Sequence, residues 1–336
     1  MGALDRRTIL KYLLALFACG IARRSCAAEH PQEFALPSTA GDVSVSGSGA
    51  ASEPANFKTV YSDPALRDQF YLFLQNIFHL YPEDRFHRLI TEISSQSNSD
   101  REIYEKLQER LPEIKPRLSV LTYALPALAK QKKEMARQTA ELLGSHQAVR
   151  GYVEIGTLGR YVNGLRKRVK IDDPIFVVND RAATLSLEDI AERGQLTQIG
   201  QYVPLGNYDA LEAARVADAS VDLVTNFIGF HHAPAERLDP FVASICRVLK
   251  PGGRLVVRDH DVDNPEMHAL VSLAHDVFNA GLNLPWTQNQ AQVRNFTSSK
   301  QLEHYLAKIG FERSGGMRLQ QKDPTKNTLM MFSKRA

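Results

Sequence analysis

The chain has 336 residues, 43% hydrophobic and 24% charged, enough to bury the core of one large or two modest domains. Of its 41 Lys and Arg, five (Arg6, Arg7, Lys11, Arg23, Arg24) fall in the first 28 residues, against one (Asp5) of its 38 Asp and Glu, so the rest balances to −1 and gives no electrostatic case for a nucleic-acid partner. Of three cysteines, only Cys246 lies beyond that segment, which excludes an internal disulfide and a Cys/His cluster at zinc-ligand spacing in the body of the chain.

Asp5-Arg6-Arg7-Thr8-Ile9-Leu10-Lys11 precedes an apolar run, Tyr12 to Ala22, that is too short to span a bilayer comfortably as a helix. The paired arginines followed by two apolar residues and a lysine resemble a bacterial twin-arginine export signal, with Asp5 where Ser or Thr is usual. That implies a leader over residues 1–28, cleaved after Cys26-Ala27-Ala28, the twin-arginine export machinery as partner, a periplasmic or exported location, and no stable transmembrane span after processing, the alternatives being a signal-like membrane anchor or a cytoplasmic chain whose apolar N-terminus carries no address. Leu16-Phe17-Ala18-Cys19 loosely resembles a lipoprotein box. Residues 29–56 are expected to be a disordered linker, since Pro37 to Ala55 is mostly Ser, Gly, Ala and Thr and cannot bury enough surface to order itself.

Residues 57–148 read as a helical cap domain. Leu66, Phe70, Phe73, Leu74, Ile77, Phe78 and Tyr81 recur at helical spacing after Asp63-Pro64, a cap and first-turn proline, and their aromatic stripe is read as core. Further helices are expected over Glu83–Ser94, Asp100–Arg110 and Ser119–Leu143.

From residue 149 to 336 short apolar runs alternate with helical segments, which predicts a parallel sheet covered on both faces. The expected strands are Tyr152–Ile155, Ile175–Val178, Tyr202–Leu205, Val221–Phe227 and Arg254–Val257; the helices are Leu158–Lys167, Leu187–Arg193, Leu211–Val216, Pro234–Leu249 and Ser298–Ile309. Pro251-Gly252-Gly253 is read as a helix stop that turns the chain into the fifth strand. Phe311–Leu319 and Thr328–Ser333 suit a terminal antiparallel pair. The fold class expected is α/β, a doubly wound, mostly parallel Rossmann-like sheet with a terminal antiparallel hairpin and an N-terminal helical region.

Four stretches carry a family likeness: Glu154 to Gly159 (EIGTLG) after the first strand, Val177 to Asp180 (VVND) ending the second, Ala219 to His232 (ASVDLVTNFIGFHH), and Cys246 to Asp261 (CRVLKPGGRLVVRDHD). Together they resemble the class I S-adenosylmethionine-dependent methyltransferases over about residues 150–335. The resemblance implies S-adenosyl-L-methionine as cofactor, held by Glu154, Gly156, Thr157, Gly159, Asp180, Tyr208, Asp209 and Asn226, and a small-molecule or peptide acceptor.

Asp180 can accept both hydroxyls of a ribose diol, or serve as a turn or cap residue. Glu154 can organise the glycine turn or meet the cationic end of the cofactor; Asp209 can face the adenine amino group, with Tyr208 against the ring, or cap a helix. Methyl transfer to an alcohol, phenol or amine also needs a proton acceptor, for which His231, His232 and Asp259 are candidates at strand C-terminal ends, the alternative being loop hydrogen bonding. Asp259-His260-Asp261 alternate in direction along a strand, so no metal site is expected there. Leu158 and Arg160 stand where the family alternates glycines, and the exported location separates the protein from cytosolic cofactor. A second reading follows: an exported, non-catalytic binding or scaffold protein that retains a degenerate methyltransferase fold.

Overall fold

The computed structural model describes residues 55–78, 80–115, 125–144 and 148–335. The expected leader, nearly all of the linker and residues 119–124 of one expected helix lie outside the described residues. Among the described residues no helix is long and apolar enough to cross a membrane.

Four helices come first: α1 (Asn56–Ser62), α2 (Pro64–Phe73), α3 (Glu83–Gln96) and α4 (Asp100–Ile114), with a π-helical turn over Leu74–Phe78 extending α2. Asp63 caps α2, its carboxylate accepting from the Ala65 and Leu66 amides at 2.7 and 3.0 Å, and Pro64 fills the first position, where a missing N–H costs nothing. Helix α4 runs four residues beyond its expected end, through Pro112 in the last turn.

These helices do not close on themselves. Their buried faces, including Phe57, Phe70, Phe78, Phe86 and Tyr104, share one apolar cluster with Leu270, Val277 and Trp286, from much later in the chain. The main partner is the long helix α9, Pro265–Gly281, where Phe78 meets Phe278 at a ring separation of 4.8 Å; just beyond that helix, Tyr104 meets Trp286 at 5.2 Å. Trp286 is part of this core.

Helix α5 (Leu125–Leu143) packs on the sheet instead, Met135, Ala136, Leu142 and Leu143 joining Tyr152, Tyr161, Leu223 and Val256. The sheet follows as β1 (Val149–Ile155), α6 (Val162–Arg166), β2 (Ile171–Asn179), α7 (Leu187–Arg193), β3 (Gln201–Pro204), β4 (Val221–Asn226), α8 (Ala235–Val248) and β5 (Leu249–His260). After α9 come α10 (Trp286–Gln290), α11 (Ser299–Ile309), β6 (Phe311–Arg313), β7 (Arg318–Leu319) and β8 (Asn327–Lys334).

Strand order is β3-β2-β1-β4-β5-β8-β6, with β7 also on β8; β1 to β5 are parallel, and β8 runs antiparallel between β5 and β6. This is a doubly wound, Rossmann-like arrangement. Chain direction along the order reverses between β1 and β4, where ligands of open α/β sheets bind at the C-terminal strand ends.

Two expectations fail locally. Leu211–Val216 is not a helix, because α8 captures its backbone: Leu211 N–H donates to Ser244 Oγ at 2.9 Å, and Arg247 donates to the Leu211 and Val216 carbonyls at 2.5 and 3.2 Å. Nor does Pro251-Gly252-Gly253 precede the fifth strand. Leu249 already pairs with Val221 and Arg254 with Leu223, so residues 250–253 form a bulge inside β5.

Candidate functional site

At the end of β1, Glu154 is fully buried and already occupied. Its carboxylate accepts from Thr157 Oγ1, from Tyr152 Oη at 3.0 Å, and from the Tyr161 amide at 3.2 Å to each oxygen. Burial pushes its pKa up, against the pull of these donors. Glu154 thus organises the turn and presents no carboxylate outward.

Gly156 has φ +83°, and a Cβ there would lie 2.7 Å from both Cγ atoms of Ile228. The close approach this glycine allows is taken by Ile228, from the turn after β4. Gly159 faces Ile199, and Leu158 is buried with its amide on Glu192 Oε1 at 3.2 Å. Glu192 also pairs with Arg160 at 3.2 Å. The turn is therefore clasped by α7 and the segment after it.

Asp180 stands exposed just beyond β2. Its carboxylate has no hydrogen-bond partner among the described residues, and partial desolvation pushes its pKa up. The neighbouring candidates are already engaged. Tyr208 is buried edge-on to Phe241 at 5.3 Å, and Asp209 is ion-paired with Arg237, bracing the turn whose Gly206 carbonyl the same arginine reaches at 3.1 Å.

Asn226 ends β4 fully buried, donating to the Gly229 carbonyl at 3.0 Å and accepting from the Ile228 amide at 3.3 Å. It shapes the turn that carries Ile228 and the histidines. Gly229 is required there: a Cβ would lie 2.7 Å from His231 Nδ1 and from Asp259 Oδ2. Asp259, near the end of β5, is buried and accepts from His231 Nδ1 at 2.5 Å and from the Phe230 and His260 amides at 2.8 Å each. Burial alone would raise its pKa; the facing His231 and the amides outweigh it and lower it.

His232 and His260 lie beside His231, at ring separations of 4.2 and 5.6 Å. Helix α9 adds His275 at 5.4 Å, a residue that sequence reasoning missed. The available signal was that His268 and His275, seven residues apart among apolar neighbours, share one face of α9. Burial holds His232 and His275 well below the usual histidine pKa and lowers His260 to about 3.

These groups line a cavity of about 520 Å³ at the strand ends. Thr157, Arg160 and Ile228 floor it; Phe73 and Ile77, then Glu134 and Arg137 of α5, wall it on the helical side. The hairpin loop closes another side with Gln320 and Thr325.

Residues 179–257 match the model of a methyltransferase domain, a span from the end of β2 into β5 that leaves out the glycine turn. Domains of this class use S-adenosylmethionine. Among solved structures, an O-methyltransferase family 2 protein of Planctomyces limnophilus, in complex with apigenin, is 15% identical at a TM-score of 0.46, covering 74% of this chain and 69% of its own. The mitomycin 7-O-methyltransferase MmcR is 14% identical at 0.44, with 83% and 74% covered. The 1,6-didemethyltoxoflavin-N1-methyltransferase of Burkholderia thailandensis, bound to 1,6-didemethyltoxoflavin and S-adenosylhomocysteine, is 12% identical at 0.41, with 62% and 79% covered. No curated protein sequence matches the chain.

Proposed function

We propose that the protein is an S-adenosylmethionine-dependent methyltransferase whose acceptor, a small molecule or peptide, enters the cavity between the helical region and the strand ends. The observation that carries this reading is Asp180, an exposed carboxylate without a hydrogen-bond partner among the described residues at the end of β2, next to the switch point of the sheet. Its two carboxylate oxygens can accept from a ribose diol, with Thr157 and the end of β4 beside the remainder of the cofactor. When bound, the sulfonium supplies the methyl group. Within the chain, the walls of the cavity exclude water, and His231, oriented by Asp259, faces the acceptor as the group able to take its proton.

Ile228 must turn away from Gly156 for the cofactor to reach the turn. Ile228→Ala is therefore expected to tighten S-adenosylmethionine binding about tenfold, roughly 1.4 kcal/mol, while lowering stability by about 2–4 kcal/mol through the lost packing. Calorimetric titration of the purified protein with the cofactor and with S-adenosylhomocysteine reads both the parent and this variant. Heat from neither ligand in either protein defeats the proposal.

The second reading, an exported binding protein on a degenerate methyltransferase fold, is favoured by one observation: Ile228 sits in the space that Gly156 opens. Export through the twin-arginine pathway remains part of both readings. Fusing residues 1–40 to a reporter is expected to send it out of the cytoplasm; retention would refute the address.

A further inference from the structure

We propose that His231, His232 and His275 form a binding site for a divalent transition-metal ion of the zinc class. Each offers one ring nitrogen, and the three atoms lie within 4.8 Å of one another. They come from separate elements, the turn after β4 and the middle of α9, so the fold and not sequence proximity brings them together.

The hydrogen bonds fix the form of each ring. His232 Nδ1 lies 3.1 Å from the Val293 carbonyl and His275 Nδ1 lies 2.9 Å from the Val271 carbonyl. A carbonyl can only accept, so both Nδ1 atoms carry the proton and both Nε2 atoms present a lone pair. His231 turns its Nδ1 to Asp259 at 2.5 Å, which directs its Nε2 to the shared space. Metal-bound histidines are held in this way, with the second nitrogen donating to a carbonyl or carboxylate that sets tautomer and orientation.

The arrangement is costly without a cation. His232 Nε2 is buried with no hydrogen-bond partner among the described residues. A desolvated acceptor of this kind costs about 1–3 kcal/mol, which a metal ion would offset. Imidazole donors suit zinc, copper, nickel or iron, whereas magnesium and calcium prefer oxygen ligands. Tetrahedral zinc with bonds of about 2.0–2.1 Å spaces its ligand atoms about 3.3 Å apart, so each ring would advance by about 0.8 Å. His260 also lies close by, its Nδ1 on the Thr325 carbonyl at 3.0 Å and its ring 5.7 Å from that of His275. The charge of nearby Arg294 is compensated by Asp276 at 2.7 Å, and Asp259 supplies a carboxylate behind His231. A metal on His231 Nε2 and a proton taken from an acceptor by that atom are mutually exclusive states, so metal binding is measured without cofactor and independently of the methyltransferase reading.

The untagged full chain, stripped with a chelator, is titrated with zinc by calorimetry and with cobalt by visible absorption. One ion per chain and intense tetrahedral cobalt bands are expected. His232→Ala and His275→Ala should each weaken zinc binding by about a hundredfold or more, while His304→Ala, on the exposed face of α11, should leave it unchanged. Absence of zinc binding, wild-type affinity in His275→Ala, or a pale octahedral cobalt spectrum in the parent protein would overturn the site. The cobalt spectrum needs no variant and stands even where a substitution disturbs folding.

Discussion

Asp180→Ala is expected to weaken S-adenosylmethionine binding about a hundredfold while leaving thermal stability unchanged. A carboxylate that accepts two ribose hydroxyls contributes charge-assisted hydrogen bonds of about 1.5–3 kcal/mol each, and losing the pair at the lower end of that range removes about 3 kcal/mol. Stability is spared because the side chain is exposed and has no hydrogen-bond partner among the described residues. Calorimetry and a melting curve on the same sample separate the two possible roles. Full retention of affinity together with a lowered melting temperature would make Asp180 a turn residue and remove the nucleoside end of the proposed site.

The largest effect on stability is expected at Asp276, in the middle of α9. It is fully buried, and its carboxylate accepts from Arg294 at 2.7 Å, Asn289 at 2.8 Å and Asn56 at 2.8 Å. One side chain thus ties α1, α9, α10 and the segment after α10 together. Asp276→Ala leaves a buried guanidinium and two amides without their acceptor, which should cost about 3–5 kcal/mol in urea denaturation. Combining it with Arg294→Met removes both charges and should recover much of that loss, since the penalty lies in the orphaned partner. A cost under about 1 kcal/mol for the single change would mean that water reaches the network. Arg294 also follows Val293, whose carbonyl orients His232, so the single variant should weaken zinc binding as well.

Much of this architecture is legible in the residues because it is periodic. The strands from Tyr152 to Val257 are short β-branched runs divided by helical segments, and their parallel order follows from connections too long for hairpins. Asp63-Pro64 and Ser298 announce helix starts that the structure has, Ser298 with a full capping box. What the residues do not carry is which helix meets which. The stretch ALVSLAHDVF in α9 reads as an apolar helix of any kind; its pairing with Phe78 and Tyr104 spans about half the chain and has no local signature. Leu211–Val216 has helical spacing but loses its backbone partners to Ser244 and Arg247, a tertiary override.

The site was legible by type and less so by role. His231 and Asp259 form a hydrogen-bonded pair, and Asp180 stands exposed just beyond β2. Glu154, Tyr208, Asp209 and Asn226 turn out to be engaged within the protein, as each is polar or aromatic at a turn where the chain itself needs a partner. The space above Gly156 is taken by Ile228, because a glycine's open face is set by the fold and not by its neighbour in sequence. His275 was missed because histidines on an apolar helix face, His268 and His275 here, do not mark a site until the fold brings other imidazoles to them.

The central claim, that the nucleoside end of S-adenosylmethionine lies over the ends of β1 and β2, is tested most directly by a crystal structure of the full chain grown with S-adenosylhomocysteine. The expected result is the ribose on Asp180, with Ile228 turned out of the space above Gly156. Density for the ligand elsewhere, or an unliganded crevice at saturating concentration with Ile228 still seated on Gly156, would contradict the account and leave the non-catalytic reading in its place.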